Sequence, residues 1–134
     1  ISMQGLTDAG AFFGGWMAQL PSELTRGVEM DNPGMPSGGG SDNASFICYG
    51  APSFGLGSDP WDYGLYTWHT NRDTYDKVAF DNVRANAVLV ASLAYLASED
   101  TARVGRERRV GLPAGREWPA CTPPPPRKFG DWTR

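Results

Sequence analysis

His69 is the only histidine among 134 residues, and it lies in the polar, aromatic-flanked run Thr67-Trp68-His69-Thr70-Asn71-Arg72-Asp73-Thr74. An imidazole can shuttle protons or ligate a metal near neutral pH. Asp73, four residues on, could accept the ring N–H and orient such a ligand; equally, the two could be an ordinary loop pair. A second stretch, Gly38-Gly39-Gly40-Ser41-Asp42, could cradle an anion with backbone N–H groups. It has no lysine and not the spacing of a Walker loop. A hydrolase built on Ser41 or Ser45 with His69 has no G-x-S-x-G elbow behind it. Trp61, Tyr63, Tyr66 and Trp68 crowd the approach to His69, and such aromatics either line a substrate cleft or pack as a half-buried loop. Cys48 and Cys121 allow one disulfide at most and, without a C-x-x-C partner, no metal knuckle.

The elements that must position these residues follow from apolar spacing. Phe12, Phe13, Trp16, Met17 and Leu20 recur at intervals of three and four after Leu6-Thr7-Asp8, which predicts a capped amphipathic helix ending before Pro21. Gly14-Gly15 weakens that helix and suggests close packing there. Val28-Glu29-Met30 reads as a short strand, 32–40 as a Gly/Pro loop, and 41–49 as a short helix capped by Ser41 or Asp42. A second short strand is expected over 51–56 and a long aromatic loop over 57–68. The strongest periodicity runs from Asn82 to Ser98, with Asp81 as N-cap. Val83, Ala87, Val90, Ala94 and Ala97 form its stripe, widened by Leu89, Leu93 and Leu96, so this helix needs cover on more than one side. Three helices and two or three strands make too small a sheet to stand alone in water.

Composition sets the outer bounds. With 40% apolar and 12% aromatic residues the chain can bury a core, and its length is that of one small domain. Seventeen glycines and eleven prolines, about a fifth of the residues, make much of it loop. No apolar run approaches the roughly 20 residues of a membrane span. Residues 1–100 carry 4 basic and 12 acidic side chains, a balance of −8, while 101–134 carry 8 and 3, a balance of +5. A basic tail can seek nucleic acid or an anionic surface. With little aromatic interleaving, no nucleic-acid partner is expected; Arg103, Arg106, Arg108 and Arg109 are expected to wrap back onto the acidic body. Residues 101–134, with Pro123–Pro126, read as an extended tail partly docked through Trp118, Phe129 and Trp132. The chain begins at Ile1 without an initiator methionine, which points to a processed product or a piece of something longer.

Read together, residues 38–58 and 66–83 resemble the C-terminal part of the zinc aminopeptidase family that includes bacterial leucine aminopeptidases, glutamate carboxypeptidase and glutaminyl cyclase, peptidase family M twenty-eight. The matching motifs are Gly40-Ser41-Asp42-Asn43-Ala44-Ser45-Phe46, then Gly50-Ala51-Pro52, then His69-Thr70-Asn71-Arg72-Asp73-Thr74 ahead of a long helix. The likeness covers about residues 1–100. It implies an α/β fold, the end of a three-layer αβα sandwich with helices on both faces of a mixed sheet. It implies that His69 is the last zinc ligand, that Asp42 is the carboxylate beside the active site, and that Asp73 and Thr74 brace the His69 loop. Trp61, Tyr63 and Tyr66 would line the substrate cleft. Where relatives carry an oxyanion-stabilising tyrosine before the ligand histidine, this chain has Trp68, whose indole N–H could serve; Asn43 stands where His or Tyr is common.

The family's two-zinc centre needs about two histidines and three carboxylates besides a glutamate base, with the metals roughly 3.5–4 Å apart. One histidine cannot complete that set, so this chain is expected to bind zinc at most weakly. The resemblance therefore implies the C-terminal portion of an exopeptidase acting on N-terminal peptide bonds. Its partners would be the remainder of the catalytic domain and a peptide substrate, its setting periplasmic or extracellular, and the chain inactive alone. The rival expectation is a non-catalytic structural or interaction domain whose Pro/Arg tail recruits a partner.

Overall fold

The computed structural model describes residues 1–37, 41–58, 62–123 and 126. The long periodic segment does form a helix, but the order of elements is helical throughout. They are α1 (Ala9–Met17), α2 (Ser22–Thr25), α3 (Asn43–Cys48), α4 (Tyr63–Tyr66), a 3₁₀ turn (Tyr75–Lys77) and α5 (Phe80–Glu99). The expected α/β sandwich is overturned: 39% of the described residues are helical against 4% in strand pairing, and no sheet forms among them. Extended pairing among the described residues consists of isolated bridges, Ser2 with Asp31 (parallel), Ser2 with Gly55 (antiparallel) and Leu6 with Arg108 (antiparallel). Residues 28–30 are irregular, and 51–56 contribute only the Gly55 bridge. The local chemistry accounts for this. Pro33 has no N–H to donate just after the Asp31 bridge, and Pro52 and Gly57 flank the one at Gly55, so no ladder propagates.

In place of a sheet, the first six residues form the hub. The amide of Ser2 donates to the Gly55 carbonyl at 2.8 Å, that of Met3 to Asp31 at 3.0 Å, and that of Gly5 to Pro33 at 2.6 Å. Met3 and Leu6 are 0% and 1% exposed, and with Ala9, Phe13, Trp16 and Leu93 they make the apolar core. Burying such side chains is the main favourable term in holding a domain this small. Phe13 meets the Phe54 ring edge-on, centroids 4.7 Å apart.

α1 stops at Met17, three residues short of the end expected from spacing. Asp8 precedes it without a side-chain cap bond; its Oδ2 instead accepts the Gly105 amide at 2.7 Å. Gly14 and Gly15 face open space rather than a close neighbour. α5 runs two residues earlier and one later than expected, with Asp81 inside its first turn and Ala79 at the cap. It packs on α1 and α2, but among its own residues only Leu93 is buried. Phe80, Val83, Val88, Val90 and Tyr95 stay exposed, so the many-sided cover that its stripe calls for is lacking among the described residues. Trp16 Nε1 donates to Asp100 Oδ2 at 2.9 Å, fastening α1 to the end of α5. That bond, then the Ala102 amide on the other carboxylate oxygen, holds the Asp100 carboxyl below the usual range.

Of the four arginines expected to wrap back, Arg108 and Arg109 do return to the body, their guanidinium groups gripping carbonyls rather than carboxylates, while Arg103 and Arg106 stay exposed. The Arg109 amide donates to Gly5 O at 2.8 Å, and the Thr7 amide to Glu107 O at 3.0 Å. Arg109 Nη1 donates to Gly34 O at 3.1 Å. Arg108 Nη2 reaches the carbonyls of Ile47 and Cys48 at 3.1 and 3.3 Å, and its guanidinium lies 4.6 Å from the centre of the Trp118 ring. Gly5, at φ +84°, leaves room for that indole; a Cβ there would sit 2.7 Å from it. Docking through Trp118 is thus present, while Phe129 and Trp132 lie outside the described residues. Cys48 and Cys121 are joined in a disulfide across 73 residues.

Candidate functional site

The expected long loop before His69 is in part helical. α4 forms over Tyr63–Tyr66 after Asp62, which sits at φ +54°. Its closing bonds run from the Thr67 and Trp68 amides to Tyr63 O, at 3.0 and 2.9 Å. Thr67 is only 2% exposed and anchors the next turn, in which the Thr70 amide donates back to Thr67 O at 3.1 Å and the Thr70 hydroxyl to the same oxygen at 2.6 Å. His69 occupies the third position of that turn at φ +58°, a left-handed conformation that few residues other than glycine adopt, histidine among them. The turn sets the imidazole on the surface, stacked on the Trp68 indole with centroids 4.0 Å apart and planes inclined by 27°. Trp68 itself is 55% exposed.

Asp73 does not take the imidazole N–H. Its Oδ2 accepts the Tyr63 hydroxyl at 2.5 Å, a bond that closes the loop from six residues before His69 to four after it. The same bond raises the Tyr63 phenol above its ordinary pKa, because ionising the donor would set two negative oxygens against each other; desolvation and the Asp73 charge add to it. Thr74 turns the other way: its hydroxyl donates to Asp76 Oδ1 at 2.5 Å. Asp76 also pairs with Lys77, and these two donors, the ammonium foremost, hold its carboxyl low. The chain downstream of His69 is therefore fixed by a short polar relay leading into α5.

Asp42 stands exposed at the start of α3, where its carbonyl, not its carboxylate, receives the Ser45 amide at 3.1 Å. No described contact joins Asp42 to His69. Tyr66 is exposed, Trp61 lies outside the described residues, and so does the triple glycine at 38–40. The Tyr63–Asp73 bond left no trace in the sequence, since a separation of ten residues matches neither helical nor strand periodicity.

Two of the clefts formed by the described residues are well defined. One, of about 420 Å³, runs between α1, α5 and the segments at 52–56 and 102–104, lined by apolar groups such as Phe13, Trp16, Phe54 and Leu93. The other lies beside Ile1, Asp31 and Gly57. Neither is lined by Tyr63, Tyr66, Trp68 or His69. Among the described residues no three His, Cys, Asp or Glu side chains gather as metal ligands, and no helix is long and apolar enough to cross a membrane. In comparisons with known proteins, no family model, no curated protein and no solved structure matches the chain.

Proposed function

We propose that this chain is the C-terminal portion of a zinc-dependent exopeptidase that hydrolyses N-terminal peptide bonds, contributing the last metal-ligand histidine and part of the substrate-facing surface. The observation that carries the reading is the presentation of His69. The motif residue that the resemblance assigns to zinc is an exposed imidazole on a left-handed turn, backed by an indole and bracketed by the Tyr63–Asp73 bond.

In this reading the chain supplies one ligand of the zinc site and not the whole set. A tightly held zinc takes three or four protein ligands, and among the described residues no three His, Cys, Asp or Glu side chains gather to supply them. In this reading the other ligands and the general base belong to the rest of the catalytic domain, and this chain alone holds zinc weakly at most. The exposed apolar side of α5 agrees with that, since Phe80, Val83, Val88 and Tyr95 form the kind of surface that protein partners bury. Asp73 acts on His69 through Tyr63, fixing the turn rather than the ring. The rival reading, a Pro/Arg tail free to recruit a partner, is weakened because Arg108 and Arg109 are already bound to the body.

The test has two arms. Zinc titration of the 134-residue chain, with leucine p-nitroanilide as substrate, is expected to give neither stoichiometric tight metal nor turnover; both together would overturn the reading. In the longer protein, His69→Ala is expected to remove one zinc and lower turnover by about 100-fold or more, since even residues behind a ligand cost 10- to 100-fold. Unchanged zinc content in that variant would also overturn it.

A further inference from the structure

α3 is six residues long and has no side-chain cap, far below the length at which a helix holds itself in water. Of its side chains only Ile47 is buried; Phe46 is 55% exposed. It ends in a Schellman motif, with the Gly50 amide on Ile47 O at 3.0 Å and the Ala51 amide on Phe46 O at 2.9 Å, and Gly50 at φ +72°. Apart from the packing of Ile47, the bonds that fasten it come from one distant segment. Arg108 donates to the carbonyls of Ile47 and Cys48 while lying over Trp118, and Cys121, three residues past Trp118, is bonded to Cys48. Both cysteines are half-buried.

That segment is fastened unequally. From Gly105 to Arg109 it is held by backbone bonds to Gly5 and Thr7 and by the Gly105 amide on the Asp8 carboxylate. From Val110, which is 93% exposed, to Glu117 it runs over the surface with one turn of its own, Arg116 to Pro113. The return to α3 therefore depends on Arg108, which holds the Ile47 and Cys48 carbonyls while lying over Trp118, and on the disulfide.

From this we infer that Cys48–Cys121 is a redox clamp on the Asp42-bearing helix: oxidised, it keeps α3 and Asp42 in place; reduced, it releases α3 and residues 110–121 while the 105–109 pairing and the α1–α5 core persist. The chemistry is thiol–disulfide exchange with an external dithiol. One thiolate attacks a cysteine sulfur to form a mixed disulfide, and the second thiolate displaces it, so the reagent leaves as a cyclic disulfide and Cys48 and Cys121 each gain a proton and an electron. The inference does not depend on the zinc reading, because its readout is the order of α3.

Hydrogen exchange read by mass spectrometry on the 134-residue chain, before and after dithiothreitol and again after reoxidation, tests it. Expected on reduction is at least a tenfold loss of protection over 43–51, down to the rate of an open loop, with α1 and α5 still protected and α3 recovered on reoxidation. The variant Cys48→Ser/Cys121→Ser should match the reduced state; should it fail to fold, the reversible reduction of the native chain decides alone. Protection over 43–51 that survives reduction overturns the inference. So does simultaneous loss of protection in α1, α3 and α5, which would make the bond a staple of the whole domain.

Discussion

The hub formed by residues 1–17 and its fastening segment at 105–109 is bound by main-chain hydrogen bonds and a buried apolar core, and it contains no histidine. The turn region at 62–77 is the reverse. It carries His69, Tyr63, Trp68 and Asp73, and apart from Thr67 it buries almost nothing. Its order comes from short-range polar bonds, Tyr63 to Asp73 and Thr74 to Asp76. Exposed backbone and few apolar contacts place such a region at the low end of local stability. The contrast teaches that this fold separates the residues that hold it together from those that could react, and that the second group is positioned by turn chemistry rather than by packing.

The largest effect should come from breaking the hub. Leu6 is 1% exposed and pairs with Arg108 in an antiparallel bridge. Leu6→Ala is expected to cost about 3 kcal/mol of global stability, as lost transfer energy plus a residual cavity. A lowered denaturant midpoint at unchanged slope would show it. Local exchange over 62–77 should hardly move, because that region opens without the hub; equal acceleration of both regions would erase the distinction between them.

A smaller change of opposite sign probes the rigid half alone. Gly15 is exposed inside α1, and a Cβ there meets nothing within 4 Å. Gly15→Ala is expected to stabilise the chain by about 0.5–1 kcal/mol, the helical cost of glycine relative to alanine. The gain should show as a raised midpoint with no change in exchange over 62–77. Destabilisation would mean that α1 has a neighbour on that side.

How much of this was legible in the sequence divides along the same line. Helical spacing located α1, α3 and α5 because apolar stripes and breakers such as Gly50 act locally. It missed the ends, since Asp8 spends its carboxylate on the Gly105 amide instead of capping α1. The sheet failed for a physical reason. Residues 28–30 and 51–56 have strand-like composition, but Pro33, Pro52 and the neighbouring glycines limit each pairing to one rung. The return of Arg108 and Arg109 was foreseeable from charge, but their carbonyl acceptors were not, because main-chain oxygens leave no mark in a sequence. His69 was conspicuous as the lone imidazole; that Asp73 would bind Tyr63 instead of the ring depends on α4, which no periodicity announced.

The finest effect concerns that bond. A tyrosine that donates to a carboxylate has a raised folded-state pKa, so its contribution is fully present below the unfolded value near 10 and is lost as the pH climbs through the folded value. The His69 loop should accordingly loosen on the alkaline side, while neutral and mildly acidic pH leaves the Tyr63–Asp73 bond intact. Phenolate titration of the chain is expected to show one tyrosine with a midpoint above 10, returned to the ordinary range by Asp73→Asn, whose amide carries no charge to oppose ionisation. Stability of the hub should not follow that titration, because the two groups are exposed and remote from Met3 and Leu6. A tyrosine midpoint unmoved by Asp73→Asn would mean that the loop around His69 is not closed by this bond, and a hub that weakened along with it would join the two regions into one cooperative unit.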